Sequence, residues 1–119
     1  MKQFTLSFAL TALIAIFVTP AITFGDDAKA GHCAEMEKHA GEAVEHGKAG
    51  HTDTLVEHSQ AAILHGQECE KEAKANAKVH VAEVLKHSKE AVEHGKAGHL
   101  KVALEHATTA AEHSKEANK

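Results

Sequence analysis

The sequence predicts an all-α protein, an up-down-up-down four-helix bundle built from two duplicated helical hairpins. Three observations predict it. Residues 38–68 align with residues 86–116 without a gap, and 17 of the 31 positions are identical, so the chain is a duplicated unit. Ala, Glu, Lys and Leu dominate, and no Pro follows Pro20, so nothing interrupts a helix. The histidines recur every seventh residue in four triplets, each triplet marking one face of one helix.

The N-terminal stretch stands apart from the bundle. Lys2 gives a short positive start, Phe4 to Val18 is uncharged and mostly apolar, and Pro20 and small residues lead to Asp26. This is the layout of a secretory signal peptide, with too short an apolar run for a comfortable membrane span. We expect residues 1–25 to be that signal, cleaved after Gly25 or alternatively after Ala30, and residues 26–119 to form one four-helix domain. All four Phe lie in the signal, leaving a chain with no Phe, Trp or Tyr. It has no Arg and an excess of acids over lysines, which argues against nucleic-acid binding. We expect a monomer whose partners are metal ions, with no membrane contact once the signal is removed. A core without aromatics is thin, and packing alone should make it only modestly stable.

Each repeat unit, about residues 32–68 and 80–116, reads as two helices around a turn. The block E-A-V-E-H-G-K-A-G-H at 42–51 and 90–99 places two glycines between periodic segments, where a helix ends and the chain turns. Strands lack support, because period-two alternation is absent and β-branched residues are sparse. Four helices of about 15–20 residues with short turns favour the bundle. The central turn is placed near Asn76, in the Lys- and Glu-rich segment joining the units.

The triplets are His32, His39 and His46; His51, His58 and His65; His80, His87 and His94; His99, His106 and His113. With His at heptad position g, positions a, d and e hold the apolar stripe: Met36, Ala43, Leu55, Ala62, Val84 and Ala103 at d, and Val44, Val56, Leu85, Val92 and Leu104 at e. Histidine then sits at the edge of the core. One heptad rises about 10.5 Å, so two His of one helix cannot share an ion whose metal–nitrogen bonds are about 2.0–2.1 Å. A shared site must join different helices. Within each unit the numbers of opposing histidines add to a constant, which in an antiparallel hairpin puts them level: His39 beside His58, His46 beside His51, His32 beside His65. The second unit repeats this with His87 and His106, His94 and His99, His80 and His113.

A carboxylate lies four residues before several of these, and residues four apart are helix neighbours. Glu35 precedes His39, Glu42 precedes His46, Glu83 precedes His87 and Glu90 precedes His94, giving four Glu–His–His sets. The outer pairs His32/His65 and His80/His113 lack such a Glu and should be weaker. Such glutamates are also ordinary helix-surface residues. Twelve His in register are not: His is a mediocre helix former, and ordinary boundaries use Lys, Glu or Gln. Metal binding is the reading, with Cu²⁺ first because it stands highest in the affinity series, and Ni²⁺ and Zn²⁺ next. Affinity should fall as pH drops through about 6.5, where imidazole protonates.

Export implies an oxidising compartment, so Cys33 and Cys69 suggest a disulfide. They fall in register with the Ala40/Ala62 and Gly47/Leu55 layers, at the open end of the first hairpin. A Cys ligand for Cu(I) beside His32 and His65 is the rival reading.

The His ladder, the E-A-V-E-H-G-K-A-G-H-T-D run at 42–53 and its near copy at 90–99 behind a secretory signal resemble the periplasmic small metal-binding protein (SmbP) family of ammonia-oxidising bacteria. The resemblance covers most of residues 32–116. It implies a four-helix bundle, a periplasmic location, binding of several divalent ions with copper favoured, and a role in copper tolerance or buffering. His39, His46, His51, His58, His87, His94, His99 and His106 match its ladder positions; the two cysteines are not part of that pattern. Two other functions fit a His-rich bundle. A bis-His haem protein lacks support, with no C-x-x-C-H motif and no bulky apolar pocket. A pH-responsive interaction module would use repulsion between protonated imidazoles. Catalysis is not expected: Ser59, Ser88 and Ser114 read as helix-surface residues without a base held in place.

Overall fold

A computed structural model describes residues 31–119; the expected signal, and the cleavage sites expected after Gly25 or Ala30, lie outside the described residues. Four helices follow in order: α1 His32–Lys48, α2 Thr52–Glu72, α3 Ala75–Lys96 and α4 Leu100–Ala117. Each packs against its neighbours in sequence, α4 closes the ring against α1, and α2 and α4 touch only slightly across the diagonal. This is the four-helix bundle the repeat predicts. Among the described residues no helix is long and apolar enough to cross a membrane.

The two hairpin turns are one device used twice. Gly50 and Gly98 have φ of 83° and 77°, a left-handed conformation that glycine adopts without a Cβ penalty. The His51 N–H then donates to the His46 carbonyl at 2.9 Å, and His99 N–H to His94 carbonyl at 2.9 Å. These six-to-one bonds satisfy carbonyls that each helix end would otherwise leave unpaired. The same bond draws the two histidines flanking each turn together.

The central connection departs from expectation. α2 runs to Glu72 and α3 starts at Ala75, with extended Ala73 and Lys74 as the whole link. Asn76 lies inside the first turn of α3. The chain reverses here through two extended residues and needs no glycine, so no composition signal marked the spot. Both helices are also longer than expected, at 21 and 22 residues.

The core follows the heptad reading. Met36, Leu55, Ala62, Val81, Val84, Ala91 and Ala103 are wholly shielded, with Ala40, Ala43, Ala107 and Ala110 almost so. Ser59, Ser88 and Ser114 are buried among them, contrary to the surface position expected. They occupy position a, one residue after a histidine, and a small hydroxyl can be buried on a helix by bonding back to it. Ser114 Oγ donates to the Ala111 carbonyl at 2.8 Å in this way.

The open end of the first hairpin is covalently closed. Cys33 and Cys69 form a disulfide with Cα atoms 4.8 Å apart, which replaces the alternative of thiolate ligands. The equivalent layer of the second hairpin holds Val81 and, half-buried, Ala117. Asn118 fastens the end of α4 to the start of α1, its side-chain amide donating to the Cys33 carbonyl at 3.0 Å and to Glu37 Oε2 at 2.6 Å.

Candidate metal centre

The edge position of the histidines brings their rings face to face along each hairpin. Nδ1 atoms of opposing rings lie 3.1 Å apart in His39/His58, His87/His106 and His80/His113, and 3.3 Å apart in His32/His65. The rings flanking the turns are more open, with centroids 5.8 Å apart in His46/His51 and 5.9 Å in His94/His99. Sequence reasoning missed the diagonal contacts. His39 stacks on His65 and His46 on His58, at 5.5 and 5.1 Å. His87 stacks on His113 and His94 on His106, at 6.2 and 5.5 Å. Six rings thus form a continuous zigzag along each hairpin. Its origin is helical: side chains lean toward the N-terminus of their own helix, so on two antiparallel helices the rows lean in opposite senses and each ring meets the next level's partner.

Two of these pairs have a carboxylate between them. Glu42 Oε2 lies 3.0 Å from Nδ1 of both His39 and His58. Glu90 Oε2 lies 3.0 Å from Nδ1 of both His87 and His106. Each set is a near-equilateral triangle of donor atoms with edges of 3.0–3.1 Å, built from two helices. Both Oε2 atoms are buried and accept no hydrogen bond of sound geometry. Three donor-capable atoms converging this closely, with the carboxylate corner left without a hydrogen bond, suit a cation. A bound ion would be held by these two imidazoles and one carboxylate, with its remaining positions left to water.

The carboxylate partners differ from those expected. Glu42 and Glu90 serve His39 and His87, three residues before them, not His46 and His94. Side chains on a helix lean toward its N-terminus, which carries each Glu back over the preceding turn. The turn pairs His46/His51 and His94/His99 consequently belong to no set of three donors among the described residues. Glu35 groups with His39 and the diagonal His65, and Glu83 with His87 and the diagonal His113, while neither His32/His65 nor His80/His113 has a carboxylate grouped with both of its rings. The contact in the second of these sets is longer than those of the triangles: Glu83 Oε2 is 3.6 Å from Nε2 of His87, against 3.0 Å for Glu90. His32 and His80 each face one ring and belong to no set of three donors among the described residues. The His-x-x-Glu spacing at 39–42 and 87–90 was the signal available in the sequence, although 32–35 and 80–83 share it and do not form such triangles.

Electrostatics favour neutral, ligand-ready rings in the first hairpin. Burial lowers the pKa of His39, against an opposing pull from Glu42, and the adjacent His58 lowers it further. Burial also lowers that of His65, opposed by Glu35.

A helical bundle whose facing helices offer repeated imidazole–carboxylate clusters defines a class of proteins that hold metal ions between helices. The chain belongs to the small metal-binding protein family, whose model matches residues 1–117. No curated protein matches it.

Proposed function

We propose that the protein binds and buffers divalent transition metals in the periplasm, Cu²⁺ foremost, without catalysing a reaction. The observation that supports this most is the pair of His–His–Glu triangles, repeated in both hairpins with edges of 3.0–3.1 Å. Two imidazoles and one carboxylate suit Cu²⁺, Ni²⁺ and Zn²⁺, and the affinity order puts Cu²⁺ first. Three protein donors on a half-exposed edge, with the remaining positions left to water, give reversible binding rather than the closed shell of a structural site. The leader-like N-terminus and the disulfide fit an oxidising compartment outside the cytoplasm.

Calorimetric titration of the oxidised protein with Cu²⁺, Ni²⁺ and Zn²⁺ tests the reading. Uptake of at least one ion per hairpin near neutral pH, strongest for Cu²⁺ and lost on acidification below about 6, is the expected result. A protein that takes up none of these ions would overturn it.

A further inference from the structure

The sets around Glu35 and Glu83 and the tight triangles are not separate constellations, because one ring belongs to both. His87 turns Nδ1 toward Glu90 and His106, and Nε2 toward Glu83. His39 likewise belongs to the triangle with Glu42 and His58 and to the set with Glu35 and His65. A neutral imidazole has one lone pair and one N–H, on opposite nitrogens. A metal on Nδ1 therefore fixes the proton on Nε2, where Glu83 is the acceptor at hand. Carboxylates in this position orient a ligating ring and raise its basicity.

Resting on the metal-binding reading above, we propose that Glu35 and Glu83 are not ligands of ions of their own. They are positioning residues that accept the Nε2 proton of His39 and His87, and the four Glu–His–His sets hold two tightly bound ions rather than four. The distances favour this division. Ligands of one ion at about 2.0–2.1 Å can be no more than about 4.2 Å apart. The triangles satisfy that limit with 3.0–3.1 Å edges around Nδ1, whereas Glu83 stands at a longer 3.6 Å and faces the other nitrogen of the His87 ring. A closure of under 1 Å brings Glu83 from 3.6 Å to hydrogen-bond length with Nε2. His65 and His113 keep their own partners, their Nδ1 atoms facing His32 and His80, and any ion there belongs to a weaker, later phase.

The test uses the full oxidised protein with Cu²⁺, comparing wild type with the double variants Glu35→Ala/Glu83→Ala and Glu35→Gln/Glu83→Gln. Calorimetry reads stoichiometry and affinity; pulsed EPR reads the remote, uncoordinated nitrogen of each bound ring. The expected result is a tight phase of two ions in all three proteins. Affinity falls about 10- to 100-fold in the alanine variant, with partial recovery in the glutamine variant, whose amide oxygen still accepts the proton. The remote-nitrogen signal shifts while the number of directly bound nitrogens stays fixed. A wild-type tight phase of four ions that drops to two on substitution overturns the proposal and leaves metal binding standing, as does an unchanged affinity. Absence of copper uptake by the wild type defeats both readings together.

Discussion

The two hairpins share their turns and the geometry of their donor atoms but not the way their open ends are held. In the first, Cys33 and Cys69 are bonded beside the His32/His65 pair; in the second, Val81 and Ala117 fill the same layer by packing alone. Yet the triangles at His39 and His87 agree to within 0.1 Å on every edge. The disulfide therefore does not set the spacing of the donors. That spacing comes from what the halves have in common, namely the glycine turn, the heptad register and small residues at the helix contact.

The largest expected effect comes from breaking the two sites separately. His87→Ala should remove the tight ion of the second hairpin and leave that of the first, halving the tight phase in calorimetry, and adding His39→Ala should abolish it. Loss of both ions from either single variant would mean the hairpins are not independent. Next in size is the disulfide. Cys33→Ala/Cys69→Ala should lower stability by about 2–4 kcal/mol, measured by urea unfolding, with the stoichiometry unchanged. A lost site in the first hairpin would contradict the division of labour drawn above.

Packing gives a subtler contrast at the equivalent glycines 47 and 95. A Cβ at Gly47 would meet the ends of Leu55 and Leu104 at 2.6 and 2.8 Å, whereas one at Gly95 would press on a branch of Val56. Leucine ends can swing aside; a β-branched side chain is stiff. Gly95→Ala should therefore cost about 1–3 kcal/mol from overpacking, offset by up to about 1 kcal/mol of helix propensity. Gly47→Ala should cost less, and thermal unfolding of the pair decides the order.

The smallest effect is in pH. Burial, the main cause at both His39 and His65, makes the folded chain take up protons at lower pH than the unfolded one. Below about 6.5 the unfolded chain then binds more protons, so the stability of the metal-free protein falls with acidification until the folded rings are protonated too. His39→Gln/His65→Gln should flatten the dependence of Tm on pH between 7 and 5. An unaltered slope would assign the acid sensitivity elsewhere.

Much of this was legible in the residues. The strict seven-residue spacing gave the His edge, the repeat gave the hairpins, and the register of Cys33 with Cys69 gave the disulfide. The partners of Glu42 were not legible. It lies three residues after His39 and four before His46, both neighbours on a helix, and only the N-terminal lean of its side chain beside the level ring of His58 decides between them. The central turn escaped for another reason: a reversal made by extended Ala73 and Lys74 leaves no glycine or proline behind. The serines are buried because heptad position a faces the core, a placement their polarity does not announce.

The alanine layers have one more consequence. Helix axes packed across small side chains approach at about 8 Å and across large ones at nearer 10 Å, and Ala40 and Ala62 are almost fully enclosed in the same layer of the first hairpin. A core this meagre looks like a weakness, but it acts as a gauge: it holds the axes close enough for opposing imidazole nitrogens to stand 3.1 Å apart. Refilling those layers with leucine, as anyone seeking a hardier bundle would do, would push the rails of the ladder apart and leave its rungs too short to grip an ion.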